Sequence, residues 1–193
     1  EAASIEEVKK ALNAGVAPDK IVFDSPVKTK REISYCHQNV KGIRLNVNSI
    51  EELNRIPENP NFQVGIRLNP QVETGAPEVY DVSHDESKFG VPISEIDSII
   101  DAILKYPVTL LHIHSGSQMV NIDSAVNAVC LLRDIALEAN SRLESDGSSR
   151  RIKTLDIGGG LIPEKLIPGE ISKMQEYTSN LRRMCPELWE FEL

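Results

Sequence analysis

The chain has 193 residues, enough to bury the core of one domain, and an ordinary globular composition of 40% hydrophobic and 26% charged residues. A formal net charge of -8 argues against a nucleic-acid partner, which needs a basic face to neutralise phosphates. No apolar run approaches the roughly 18–20 residues of a membrane span.

Helical and strand patterns alternate along the chain. SIEEVKKALNAG (4–15) pairs Ser4 with Glu7 in a capping-box spacing and stops at Gly15. KIVF (20–23) is a short apolar strand. TKREISYCHQN (29–39) opens a second helix with Thr29 and Glu32 in the same spacing, and GIRLNV (42–47) is the next strand. SIEELNRI (49–56) predicts a third capped helix, with Ser49 and Glu52. FQVGIRLNP (62–70) is a strand closed by proline, and a long loop runs from 71 to about 92. The amphipathic SEIDSIIDAILKY (94–106) precedes the strand VTLLHIH (108–114). A long helix over 123–143, a strand and glycine turn in IKTLDIGGG (152–160) and a helix over 170–184 complete the series. PELWEFEL (186–193) looks like the opening of another strand.

Five strands separated by helices imply βα units, a parallel sheet and right-handed crossovers. The spacing suits a doubly wound sheet or part of a (β/α)8 barrel, and both place their chemistry at the C-terminal ends of strands. The chain starts at Glu1 in the mouth of a helix and stops as a strand opens, so it is expected to be an excerpt of a longer one. Cys36, Cys130 and Cys185 are odd in number and far apart, with neither zinc spacing nor a disulfide framework. They are expected to be unpaired, small apolar helix residues in a reducing compartment.

Three strand ends carry unusual residues. In DIGGG, Gly158, Gly159 and Gly160 expose backbone N–H groups that suit a phosphate, or else supply a tight turn with positive φ. In HIHSGSQ, Ser115 and Ser117 offer hydroxyls and Gly116 lets the backbone approach the same ligand. His112 and His114 alternate with Ile113 and so share one face of their strand. That pair admits three readings: metal ligands, core packing, or a ring against a flat cofactor. The metal reading needs further ligands, and only His37, in a helix pattern, and His84, in an acidic loop, remain. Arg67 in GIRLNP sits in an apolar strand and needs a carboxylate or ligand partner. Lys88 in ESKFGV either reaches across a cleft or is a solvated loop lysine.

The segments EAASIEEVKKALNAGV, IVFDSPVKTKREI, GIRLNVNSIEELNRI, VGIRLNP, SKFGV, HIHSGSQ and LDIGGGL resemble, in order, the fold-type III pyridoxal-phosphate (PLP) decarboxylases. These are the diaminopimelate, ornithine and arginine decarboxylases, and the wording here is closer to the diaminopimelate side. The resemblance implies an α/β chain forming a partial (β/α)8 TIM barrel of the alanine-racemase-like type. Residues 1–193 would be part of that PLP-binding domain, with the first strand, the last strands and a C-terminal β-domain outside the chain. It implies that His114 lies over the cofactor ring and that Ser117 and Gly158, Gly159 and Gly160 hold its phosphate. It also implies that Arg67 orients groups near the ring, that His112 supports from the same face, and that Lys88 lies near a subunit interface. A homodimer with shared active sites and an amino-acid substrate follow from the same likeness. No metal is expected, because four converging ligands are hard to assemble, and a cytoplasmic location is expected from the unpaired cysteines.

The Schiff-base lysine of the family lies in an A-V-K-A-N-like stretch upstream of Glu1, and Lys28 in SPVKTK aligns elsewhere. The acid that meets the pyridine nitrogen falls in an E-P-G-R-like stretch beyond Leu193. The 193 residues alone are therefore not expected to catalyse. A truncated or non-catalytic homologue that binds a partner is the alternative.

Overall fold

In the computed structural model, which describes residues 1–80, 82–164 and 171–193, the local capping signals act as helix starts, with two adjustments. In α1 (Ile5–Asn13) the Ser4 hydroxyl accepts the Glu7 N–H, but the Glu7 carboxylate reaches back to Ala3, so the box is displaced by one residue. In α2 (Lys30–Asn39) the box between Thr29 and Glu32 is complete. Ser49 makes no side-chain cap, and Ile50–Arg55 winds as a 3-10 helix instead of the expected α-helix. The reason is Glu52, which turns inward to the Asn48 N–H at 2.8 Å and the buried Lys28 ammonium at 3.3 Å. Thr29→Ala should therefore cost about 1 kcal/mol in urea unfolding, and Ser49→Ala well under half of that. Equal losses would contradict the difference between the two caps.

The expected parallel sheet forms. Its strands are β1 (Val22–Phe23), β2 (Arg44–Val47), β3 (Gln63–Asn69), β4 (Val91–Pro92), β5 (Val108–Ile113) and β6 (Thr154–Asp156). They run in the order β1-β2-β3-β5-β6, every pair parallel, with β4 paired to the end of β3. β4 closes what the sequence presents as a loop. Single parallel bridges add Ala2 beside Phe23 and Glu192 beside Thr154, so both edges carry a further pairing. The helices α3 (Ile96–Lys105), α4 (Ile122–Ser145) and α5 (Lys173–Met184) follow β4, β5 and β6 in turn. Position 170 of the expected last helix lies outside the described residues.

The sheet has two unlike faces. Phe23, Leu45, Ile66, Leu111 and Leu155 join the hydrophobic core under the helices. The opposite face carries Arg44, Asn46, Gly65, Arg67, Leu110 and His112, in register across β2, β3 and β5 and polar at four of the six positions. A bulge makes this possible: Val64 faces Val108, but Gly65 faces Leu110, so Thr109 is the extra residue. Val108 thus joins the core, while Leu110 and His112 turn to the polar face. Gly65 is glycine for a steric reason. A Cβ there would lie 2.1 Å from Asn46 Oδ1 and 2.5 Å from Leu110 Cδ2.

The cysteines require a correction. Cys130 on α4 and Cys185 at the C-cap of α5 are joined in a disulfide, which a separation of 55 residues with no spacing signal conceals. Cys36 is free and buried, as expected, and burial pushes its thiol up to about 11.

Candidate functional site

The strand ends gather a buried network of charges. The Arg67 guanidinium donates to Asp24 Oδ2 at 2.5 Å and lies 4.6 Å from the centre of the Phe89 ring. Both side chains of the pair are nearly buried. The partner that Arg67 needs is thus a carboxylate of this chain.

His112 is completely buried behind that pair. Its Nδ1 lies 3.0 Å from Asp156 Oδ2, and its Nε2 lies 3.6 Å from Asp24 Oδ2 and 3.9 Å from Glu1 Oε1. Neither nitrogen makes a well-formed hydrogen bond, so charge rather than hydrogen bonding holds these contacts. Burial works against a charged ring, but Asp156, Asp24 and Glu1 outweigh it and hold the His112 pKa above its ordinary value. Burial likewise disfavours a charged Asp156, yet His112 and the Gly158 N–H hold its pKa below the ordinary value. Glu1, His112 and Asp156 bring three donor atoms within 4.8 Å of one another. Where the imidazole is protonated it offers no lone pair, and the cluster then has the chemistry of an ion-pair network.

The linkage has a definite sign. Stabilisation from His112 is complete below 6.5, its ordinary value, and is lost as pH rises through its higher folded value. Stabilisation from Asp156 is complete above 3.8 and is lost as pH falls through its lower folded value. The difference in urea midpoint between the natural protein and Asp156→Asn should therefore be flat from 3.8 to 6.5 and shrink above. A difference that stays constant to strongly alkaline pH would mean that His112 is neutral.

His114 stands apart from the network. Its ring is half-buried against the glycine turn, where a Cβ on Gly158 would come 3.2 Å from His114 Nδ1. Burial, and after it the Arg67 charge, push the His114 pKa down, so this ring is neutral near pH 7. The three glycines differ in what requires them. Gly158 (φ 65°) and Gly160 (φ 100°) adopt the left-handed region, and a Cβ on Gly160 would lie 1.9 Å from the Gly116 carbonyl oxygen. At Gly159 neither applies: φ is not positive, and a Cβ would meet nothing within 4 Å. Nothing within the described chain requires glycine there, and the turn stands open at that point.

The two loops expected to act together do meet. The Met119 N–H donates to the Gly160 carbonyl at 2.9 Å, and the Ile162 N–H donates to the Met119 carbonyl at 3.0 Å. Ser115 is buried between them, whereas Ser117 is exposed, its N–H donating to the Tyr80 carbonyl. A cavity of about 300 Å³ lies behind the turn, lined by Gly158, Gly159, Gly160, Ile113, Met174 and Tyr177 among others. Ile113 belongs to the core side of the sheet, so this cavity is separate from the face that carries His112.

Lys88 is exposed and lies outside the buried network. Its ammonium is 5.2 Å from the centre of the Phe89 ring, whose other cation is Arg67. Asn48 clasps this loop by donating to the Lys88 carbonyl at 2.8 Å and accepting the Gly90 N–H at 2.9 Å. His37 packs edge-on to Phe62, and the His84 carbonyl accepts from Asn69, so neither approaches His112 as a ligand. Sequence reasoning missed Glu1, Asp24, Phe89 and Asp156. The available signal was a carboxylate ending each of two apolar strands, in IVFD and TLD.

Residues 1–191 match the family described as pyridoxal-dependent decarboxylase, pyridoxal binding domain. Among curated proteins, the diaminopimelate decarboxylase of Helicobacter pylori is 31% identical over 168 residues, 82% of this chain and 39% of that protein. That of Zymomonas mobilis is 27% identical over 166 residues, 82% of this chain and 38% of its own length. Among solved structures, H. pylori diaminopimelate decarboxylase complexed with L-lysine superposes with a TM-score of 0.79 at 24% identity, over 99% of this chain and 48% of that one. The arginine decarboxylase of Paramecium bursaria Chlorella virus, bound to agmatine, gives 0.72 at 25% identity over 96% of this chain and 47% of that one. The chain thus spans about two fifths of these curated relatives and about half of these solved chains.

Proposed function

This chain belongs to the pyridoxal-dependent decarboxylases, in their pyridoxal-binding domain, and from that premise we propose that it forms part of the cofactor barrel of an enzyme that decarboxylates a diamino acid, diaminopimelate before ornithine or arginine. The observation that carries the reading is the contact between a neutral ring and an open turn. A ligand with a flat ring and a phosphate needs both side by side, and His114 adjoins Gly158 while Gly159 leaves the turn open.

The residues fit pyridoxal 5'-phosphate on that ground. His114 would face its ring, and an uncharged imidazole stacks on a cationic pyridine without like-charge repulsion. Gly159 and Gly160 would hold the phosphate through backbone N–H groups, with the Ser117 hydroxyl as a further donor, while Gly158, whose N–H is taken by Asp156 Oδ1, would shape the turn. When bound, this cofactor supplies an electron-accepting ring for the pair released as CO2 leaves. Arg67, anchored by Asp24, would orient groups beside the ring, and His112 would brace the same face from beneath. Lys88, exposed on its clasped loop, suits a contact with a second copy, and we assign the enzyme as a homodimer with shared active sites.

We place it in the cytoplasm. No helix among the described residues is long and apolar enough to cross a membrane. The Cys130–Cys185 bond is the feature that argues for an oxidising setting.

The test uses the full-length product of the gene. It should retain PLP and release CO2 from diaminopimelate in preference to ornithine or arginine. His114→Ala should raise the PLP dissociation constant about two- to tenfold, the worth of ~0.5–1.5 kcal/mol of ring stacking. A full-length protein that takes up no PLP, or a His114→Ala protein that holds it as tightly as the natural one, would overturn the reading.

A further inference from the structure

Asp156 has two contacts on its two carboxylate oxygens. Oδ2 lies 3.0 Å from His112 Nδ1, and Oδ1 accepts the Gly158 N–H at 3.0 Å. It is a single rigid group that faces the buried imidazole on one side and the first residue of the glycine turn on the other. We propose that Asp156 is a positioning residue that couples the charge of His112 to the geometry of the glycine turn, and with it to retention of the cofactor phosphate. The last clause rests on the cofactor reading above; the coupling itself does not.

The physical argument starts from burial. His112 is fully enclosed, so the loss of its proton cannot be compensated by water. Around it stand Glu1 ahead of α1, Asp24 after β1, Arg67 on β3, His114 just after β5 and Asp156 on β6. Once the imidazole is neutral, the Asp156 carboxylate remains half-buried with less opposing charge, while Asp24 still has Arg67. The carboxylate then gains by moving toward solvent, and the group it carries is the Gly158 amide. Gly158 cannot yield independently, because a positive φ and close approach to the Ile113 carbonyl hold it against the histidine strand. The displacement therefore passes into the open residue, Gly159.

The experiment uses full-length protein with 15N-labelled glycine and histidine, without and with PLP. In the cofactor-free form the Gly158 amide should titrate with the same midpoint as the His112 imidazole. The PLP dissociation constant should rise several-fold across that same pH interval. Asp24→Asn removes one carboxylate that favours charged His112, so it should move both midpoints to lower pH together. Asp156→Asn keeps an oxygen for the Gly158 amide but no charge for His112, so the amide should cease to follow the ring. A Gly158 amide indifferent to His112 in the natural protein would overturn the proposal. So would a PLP interval that stays fixed while Asp24→Asn moves the His112 midpoint, or an Asp156→Asn protein with affinity lowered equally at every pH, the mark of a merely structural role. Failure to take up PLP at all would instead remove the cofactor reading, while the amide and imidazole titrations would still decide the coupling.

Discussion

Replacing Arg67 by methionine is expected to destabilise the protein by about 3–5 kcal/mol, because it leaves a buried carboxylate without its main partner. Asp24 and Arg67 expose only 6% and 7% of their side chains, so water cannot take over the role of the lost guanidinium. His112 is 3.6 Å from Asp24 Oδ2 but already faces Asp156 at 3.0 Å, and the Lys28 ammonium, which also feels the Asp24 charge, is paired with Glu52. Arg67→Lys should recover only part of the loss. An ammonium cannot both reach Asp24 and lie flat on Phe89 as the guanidinium does. Removing both charges, as in Asp24→Leu with Arg67→Met, should be less damaging than Arg67→Met alone, since no charge is then left unpaired. Urea unfolding of the natural protein, both single variants and the double variant checks this. A double variant no more stable than Arg67→Met would show that the loss comes from packing, not from the stranded carboxylate.

The glycine turn should show the second large effect, and it discriminates between neighbouring residues. Gly160→Ala is expected to cost at least about 3 kcal/mol, the strain of a side chain in the left-handed region together with a backbone clash. Its Cβ would lie 1.9 Å from the Gly116 carbonyl oxygen, an atom that no rotamer change can move. The Gly116 loop and the glycine turn are zipped through Met119, so a forced separation would also break hydrogen bonds at 2.9 and 3.0 Å. Gly159→Ala should leave the unfolding midpoint nearly unchanged, because its Cβ enters open space. That space is the proposed phosphate cradle, so the same substitution should weaken PLP binding by at least about tenfold, or ~1.4 kcal/mol. Unfolding and PLP titration on both variants separate loss of the fold, expected for Gly160→Ala alone, from loss of the cofactor in a stable protein, expected for Gly159→Ala. If Gly159→Ala binds PLP normally, the phosphate does not lie over this residue.

Local features of the sequence were enough for the framework. Most of the capped helices and apolar strands occur where period and punctuation place them, because each depends on residues within about one turn or one strand. Ile50–Arg55, however, winds as a 3-10 helix, and so does Pro186–Glu190, where the sequence suggests the opening of a strand. The alternation of strand and helix also determined that the sheet is parallel and that the unusual residues stand at strand ends. Ordered motifs determined the family. Three kinds of fact lay beyond local reading. The Cys130–Cys185 bond depends on how α4 packs against α5, which no spacing encodes. The bulge at Thr109 decides that Val108 faces the core while His112 faces the charges, whereas strict alternation puts both on one side. The distinction between the two histidines is also tertiary. They occupy equivalent places in HIH, yet His112 lies among carboxylates from separate segments, and His114 meets a glycine turn and an arginine. Charge state is set by neighbours in space, and those neighbours are up to about a hundred residues away along the chain.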